Sequence, residues 1–157
     1  MIIRDLDPKD FSAVDSLMNE LHALHAKSRP DIYVPAEHIY SEEQFLDMLS
    51  DESTFAICAE TEGEIAGICF FEVRQSGGNG KKGVAQNRIA FVNDIVVAEK
   101  FRRRGIAKQL FAAAEKTAKE KGAVRLDLMV WNFNEDALGF YKAMGMDVQR
   151  FVLEKQL

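Results

Sequence analysis

The sequence predicts an α/β chain of the α+β kind, a mixed sheet flanked by helices, and three observations carry that expectation. Two apolar, β-rich runs, Phe55 to Glu60 and Ile65 to Arg74, are joined by Glu62-Gly63-Glu64, which reads as a hairpin turn and makes them antiparallel neighbours. Two later strands, Arg88 to Val97 and Leu126 to Trp131, are each followed by a helix, as crossover units require. Gly105 to Lys121 has helical periodicity, with Ile106, Ala107, Leu110, Phe111, Ala114 and Ala118 on one face.

The remaining elements follow from local signals. Ile2-Ile3-Arg4 reads as a short first strand. Asp7-Pro8 supplies an N-cap and an N1 proline, and Phe11, Val14, Leu17, Met18, Leu21 and Leu24 recur at helical spacing, so a helix is expected from about Pro8 to His25. Pro30 and Pro35 mark the loop after it. Ser41-Glu42-Glu43-Gln44 is a capping-box pattern that opens a shorter helix with Phe45, Met48 and Leu49 as its stripe. Gln75 to Asn87 is polar and glycine-bearing, and reads as a loop. The turn Ala98 to Arg104 enters the third helix, which Gly122 ends. Asn134 begins a last helix to about Met144, Gly145 stops it, and Val148 to Glu154 is expected to close the chain as a strand.

Composition excludes several classes. The chain has 157 residues, 47% hydrophobic and 29% charged, which fits one domain over 1–157. Its apolar runs are far shorter than the roughly 20 residues that span a bilayer, and Met1 to Asp5 has no secretory pattern, so a cytoplasmic protein with no membrane partner is expected. Cys58 and Cys69 lack a Cys-x-x-Cys pairing and read as buried thiols rather than a disulfide or zinc site. A net charge of −5 opposes broad nucleic-acid binding.

Chemistry concentrates in two stretches. From Asp94 to Ala107 a strand feeds a helix start through Arg102-Arg103-Arg104-Gly105, where consecutive backbone N–H groups beside the positive end of a helix dipole suit a phosphate. Taken alone, this is equally a charged turn before a core helix; it is neither a Walker A nor a Rossmann pattern. Asn134 to Tyr141 opens the last helix, with Asn134 as a good N-cap and Ala137, Leu138, Tyr141 and Met144 on one face, which needs no function. Two adjacent parallel strands, each followed by a helix, would set both stretches side by side where open α/β sheets bind ligands.

With both stretches at this spacing, the chain resembles the GNAT superfamily of N-acetyltransferases over essentially its whole length. The family's acyl-CoA motif, Gln/Arg-x-x-Gly-x-Gly/Ala, is matched by Arg102, Gly105 and Ala107. Its downstream Asn-x-x-Ala-x-x-Phe-Tyr is matched by Asn134, Ala137, Phe140 and Tyr141. The resemblance implies a mostly antiparallel sheet whose one parallel strand pair splays at the acyl-CoA site. It implies acetyl-CoA as cosubstrate with no metal, its pyrophosphate on the amides of Arg102, Arg103, Arg104, Gly105, Ile106, Ala107 and Lys108. Ile95 and Val97 would run alongside pantetheine, with an amide near Val96 toward the thioester carbonyl. Asn134 and Tyr141 would border the reactive end, the phenol protonating the departing thiolate.

No motif carries over the general base. Asp94 and Glu72 are the candidates, and since Asn93 and Asp94 alternate across the pleat, one of those two faces the cleft. In this family the acceptor is chosen largely by the first helices and their loop. There Asp31 could hold a cationic amine and Tyr33 could line the mouth, an ordinary loop cap being the other reading of Asp31. His22 and His25, one helical turn apart without a third ligand, read as a structural pair. Trp131 reads as a core or dimer aromatic before a substrate wall, and a homodimer is conceivable. Met129 stands where acetyltransferases of protein N-termini often carry glutamate.

The implied activity is acetyl transfer to a primary amine, of a small molecule first and of a peptide N-terminus or lysine second. A non-catalytic CoA-binding sensor or interaction module is the reading from another class, which an intact Tyr141 disfavours.

Overall fold

The structure is a computed structural model, which describes residues 1–77 and 82–157. Its sheet has five strands in sequential order: β1 (Ile2–Asp5), β2 (Thr54–Thr61), β3 (Glu64–Ser76), β4 (Asn87–Val97) and β5 (Leu126–Leu128). Pairing is antiparallel from β1 to β4, and β4 and β5 are parallel. The helices are α1 (Phe11–Ser28), α2 (Glu42–Ser50), α3 (Ile106–Glu120) and α4 (Glu135–Ala143). This is the mixed, mostly antiparallel sheet with flanking helices that the sequence implied.

Local signals act as expected at most junctions. Asp7 caps a 3-10 turn, Pro8–Asp10, before α1 begins, and the Asp10 carboxylate returns a bond to the Asp7 N–H. Arg4 fixes that corner to the sheet, giving two bonds to Asp10 (2.7 and 3.0 Å) and one to Glu60 (2.8 Å). Ser41 and Gln44 form the capping box of α2. The β2–β3 turn takes left-handed φ at both Glu62 and Gly63, which matches the twist of a two-residue hairpin.

The core lies on both sheet faces. On one, α3 comes so close that a Cβ on Gly67 would stand 2.8 Å from Val96 O and 3.2 Å from Leu110 Cδ1, so β3 needs glycine there. On the other, Tyr40 meets Phe70 edge-on, and α1 and α2 join through Phe11 and Phe45. Cys58 and Cys69 are buried free thiols, as expected, and burial pushes them up to about 11 and about 12.

Three boundaries differ from expectation. β3 runs on through Ser76 and β4 starts at Asn87, because Gln75 and Ser76 pair with Arg88 and Asn87. The expected loop therefore narrows to 77–86, of which 78–81 lie outside the described residues. The strand expected from Leu126 to Trp131 stops at Leu128, and Met129 is exposed. The closing strand, Val148 to Glu154, does not form: among the described residues those after Met146 take no regular structure and no backbone hydrogen bond reaches them.

The early end of β5 has its cause in β4. Phe71 pairs with Val92 and Phe70 with Asp94, so Asn93 is an extra residue, a β-bulge. Phe70 and Phe71 point to opposite faces, and therefore so do Asp94 and Val92, which in an uninterrupted strand would share one. The parallel pairing to β5 covers Ala90, Phe91 and Val92 and ceases at the bulge.

Candidate active site

Beyond the bulge β4 stays paired to β3 as far as Val97, while among the described residues no strand pairs with its other edge. The direction of its backbone groups follows from one bond: the Ala98 N–H donates to Ala66 O, on the β3 side (2.9 Å). N–H groups alternate along a strand, so Val96 also faces β3, and Ile95 and Val97 turn theirs to the open edge. Val97 O, on that open side, accepts from Arg102 Nε (3.0 Å). The amide expected near Val96 is thus that of Ile95 or Val97, not that of Val96 itself. A linear amide-bearing chain lying in this gap could bond to β4 as an added strand.

The open edge leads to the N-terminus of α3. Phe101 is buried and anchors the turn, while Arg103 (φ 64°) and Gly105 (φ 78°) both take left-handed backbone. Gly105 is the N-cap and provides no side-chain cap, so the first N–H groups of α3, at Ile106, Ala107 and Lys108, are left without helical partners, whereas the Arg102 N–H expected to join them is given to Glu99 O (3.2 Å). A Cβ built on Gly105 would meet nothing within 4 Å: the glycine is required by its φ and by the free approach it leaves. Arginine side chains point elsewhere. Arg102 turns back to Val97 O and Glu20, Arg104 pairs with Glu62 (3.1 Å), and Arg103 is almost fully exposed. Main-chain donors at a positive helix end fit a diphosphate.

Titratable groups gather at the bulge. Burial raises the Asp94 carboxyl above the ordinary carboxylate range, and a bond from Tyr40 Oη to Asp94 Oδ2 (3.1 Å) opposes part of that rise. Burial also raises the Tyr141 phenol, with Cys69 and Asp94 adding to the effect, so α4 brings Tyr141 within electrostatic reach of Asp94. The ring of Tyr141 packs on Phe111 and Phe140. Glu72, the other carboxylate candidate, forms an ion pair with Arg74 (2.8 Å). Asn134 caps α4 by accepting the Ala137 N–H (3.2 Å), so its Oδ1 is occupied. Tyr40 was missed by sequence reasoning; its one signal was the adjoining capping box, which hides it as an ordinary residue before a helix.

The model of the Acetyltransferase (GNAT) family matches residues 18–146, which includes the whole gap, the α3 turn and α4. The chain belongs to the GNAT family. Its fold agrees: a single-substitution mutant of the BH1408 protein from Bacillus halodurans superposes with a TM-score of 0.95 at 26% identity, over 100% of this chain and 99% of that one. The aminoglycoside N-acetyltransferase AAC(6')-Iy, solved in complex with CoA, superposes with a TM-score of 0.73 at 20% identity, over 99% and 98%. A curated relative, L-ornithine N5-acetyltransferase NATA1 of Arabidopsis thaliana, is 36% identical over 58 residues, 37% of this chain and 25% of that protein. The match thus spans only a quarter of that relative's length.

Just past the end of β5, this GNAT chain has an aromatic wall. Trp131 Nε1 donates to Tyr33 Oη (2.8 Å), His25 stacks on Tyr33 with centroids 4.9 Å apart, and Phe133 stacks on Trp131. His22 Nε2 lies 2.7 Å from Val34 O, which makes it the donor, and burial lowers His25, with His22 second. The two histidines therefore serve the loop, as a structural pair. Asp31 is not a free carboxylate: Arg29 holds both its oxygens (2.9 and 2.7 Å) and keeps its carboxyl below the usual range. Asp31 is thus already paired within its own loop, as the loop-cap reading has it, and a cationic amine would share it with Arg29. Arg29 also lies over Trp131, 4.9 Å from the ring centroid.

Proposed function

We propose that the chain transfers an acetyl group from acetyl-CoA to a primary amine of a small molecule, by direct attack while both are bound. The observation that carries this is the bulge at Asn93, beyond which the pairing of β4 to β5 ceases, the β4 edge runs open toward an uncapped helix N-terminus, and Asp94 lies on the face of Phe70 with Tyr40 bonded to it.

Acetyl-CoA brings an activated acyl carbon and a thiol leaving group. The amides from Arg103 to Lys108 hold its diphosphate, and the edge groups of Ile95 and Val97 bond its amide-bearing arm and polarise the thioester carbonyl. Asp94, kept ionised in part by Tyr40, accepts a proton from the incoming ammonium, directly or through water. The C–N bond then forms, the C–S bond breaks, Tyr141 gives its proton to sulfur, and the surplus proton on the new amide nitrogen passes through water to restore the phenol. Cys58 and Cys69 stay protonated at neutral pH, which speaks against an acyl-cysteine intermediate. The small-molecule reading is supported by the relatives' names, one an ornithine and one an aminoglycoside acetyltransferase, and by the aromatic wall of Tyr33 and Trp131.

The test is release of CoA thiol from acetyl-CoA across a panel of small primary amines, with peptides of free N-terminus or lysine alongside. Turnover with a small amine and intersecting initial-rate lines are expected. Turnover confined to peptides refutes the acceptor class, parallel lines refute direct attack, and no turnover with any amine favours a CoA-binding sensor.

A further inference from the structure

The segment between α1 and α2 doubles back along α1. Among the described residues no main-chain hydrogen bond joins residues 34–40 to another part of the backbone, so side chains place them. Three pegs come from one face of α1, at the three- and four-residue spacing of that face. His22 Nε2 donates to Val34 O (2.7 Å), Asn19 Nδ2 donates to Glu37 O (3.3 Å), and Asp15 Oδ2 accepts from His38 Nδ1 (3.0 Å). At the two ends stand Tyr33, bonded to Trp131, and Tyr40, bonded to Asp94. The peg nearest Tyr40 differs from the other two in having a charged partner. Asp15 is 18% exposed, its Oδ1 is buried without a hydrogen-bond partner, and His38 supplies the one side-chain bond it has among the described residues. His38 Nε2 stands 3.8 Å from Glu37 Oε1, beyond hydrogen-bond range, so the imidazole is committed to Asp15 through an Nδ1–H that its neutral and charged forms can both carry.

We infer that His38 and Asp15 are a positioning pair for the candidate base: their bond fixes the backbone two residues ahead of Tyr40 and so holds the Tyr40 hydroxyl on Asp94. On its other side Tyr40 is fixed by the capping box of Ser41 and Gln44, and its ring meets Phe70 edge-on with centroids 6.3 Å apart. An edge-to-face contact tolerates a small slide of the ring, whereas an O–H···O bond already 3.1 Å long does not. The peg at His38 therefore decides whether the phenol reaches the carboxylate. Removing it also strands the half of Asp15 that is out of water, so the segment would shift to solvate that carboxylate rather than stay in place. Asp94 is faced by Tyr40, by Tyr141 from α4 and by Cys69 from β3, and burial keeps the last two protonated, so the carboxyl is the group that titrates there. The inference rests on the contact between Tyr40 and Asp94, and on the proposed activity only for its effect on rate.

Titration of the Asp94 carboxyl carbon by NMR, in the protein without acetyl-CoA, tests this with no turnover. Tyr40→Phe gives the full upward shift for loss of the phenol. His38→Leu, at a half-exposed position, and Asp15→Ala are each expected to raise the Asp94 pKa by about half a pH unit or more, roughly a threefold gain in proton affinity. Neither should add to the shift already made by Tyr40→Phe. His38→Asn, whose amide nitrogen takes the place of Nδ1, should restore the wild-type titration. The acid limb of kcat/KM should follow the same order. If Asp15→Ala does not fold, His38→Leu and His38→Asn carry the comparison. A folded His38→Leu protein with the wild-type Asp94 titration overturns the inference. So does a shift that persists undiminished in the Tyr40→Phe background, since His38 would then act on Asp94 by another route. A shifted titration with an unmoved acid limb supports the positioning pair and removes Asp94 as the base.

Discussion

Tyr40 Oη lies 3.1 Å from Asp94 Oδ2 and donates to it, joining the residue before the α2 N-cap to the first residue past the β4 bulge. The bond opposes the burial that lifts the carboxyl, so it sets how much of Asp94 is ionised near neutral pH. A base acts in its ionised form, so the rate should rise with pH through the Asp94 pKa. Tyr40→Phe removes the one favourable partner and raises that pKa further. A hydrogen bond to a charged group is worth about 1.5–3 kcal/mol, so the acid limb of kcat/KM should move up by roughly one to two pH units. Rates should recover at high pH. An acid limb in the wild-type position would sever Tyr40 from the proton transfer.

Asp94→Asn separates activity from stability. A carboxyl whose folded pKa is raised contributes stability that is fully present below its unfolded pKa and lost as pH rises through the folded value. At neutral pH the ionised group is therefore a burden on the fold. Asparagine accepts the Tyr40 bond without charge, so Tm should rise above wild type at pH 7 to 8 and coincide with it near about pH 3, below the ordinary carboxylate range. The same variant should lose about 10² to 10⁴ in kcat/KM, the usual worth of a positioned base, with acetyl-CoA affinity intact. Glu72→Gln, which breaks only a pair with Arg74, should change little. A normal rate for Asp94→Asn would transfer the role to Glu72 or to water.

These two residues also show where sequence reading stops. Strand, hairpin and capping signals are local, so Glu62-Gly63, Ser41 to Gln44 and the α3 stripe could be read along the chain and recur in the structure. The bulge could not: Asn93 is extra only relative to β3, and simple alternation mistakes which neighbours share a face with Asp94. Tyr40 and Arg29 were invisible for the same reason, each being defined by a partner far off in sequence. The Val148 to Glu154 pattern is β-like, yet among the described residues no backbone hydrogen bond reaches it, and pairing is what a local pattern cannot supply. Motif spacing located the α3 turn, but the split between main-chain donors and arginine side chains needed coordinates.

That split is testable at the α3 turn. Gly105→Glu adds a carboxylate at the positive helix end and forces a non-glycine residue to φ 78°, at a strain of order 1–3 kcal/mol. No atom lies within 4 Å of the new Cβ, so the chain should still fold, with a lower Tm. Acetyl-CoA affinity by calorimetry should fall by more than tenfold, an effect of at least about 1.4 kcal/mol. Arg103→Ala removes an exposed side chain from the same turn and should weaken binding only a few-fold. Equal losses in both variants would mean that side-chain charge, not the amide row, holds the diphosphate.

Tyr141→Phe addresses the acid. Burial, Cys69 and Asp94 all raise the phenol, so Tyr141 keeps its proton throughout the working range and can serve as a donor but not as a base. Its ring packs on Phe111 and Phe140, and phenylalanine preserves those contacts, so Tm should stay close to wild type. A CoA thiolate is a tolerable leaving group, since a thiol ionises near pH 8 to 9, and acid assistance should then be worth the lower end of the usual range, about 10² in kcat. Affinity for acetyl-CoA should hold. The loss should also shrink for an acyl donor whose leaving thiol has a lower pKa, because a weaker base needs the proton less. Loss of kcat with no dependence on the leaving thiol would make Tyr141 a positioning group, and a wild-type rate with every amine would leave it as packing for α4 alone.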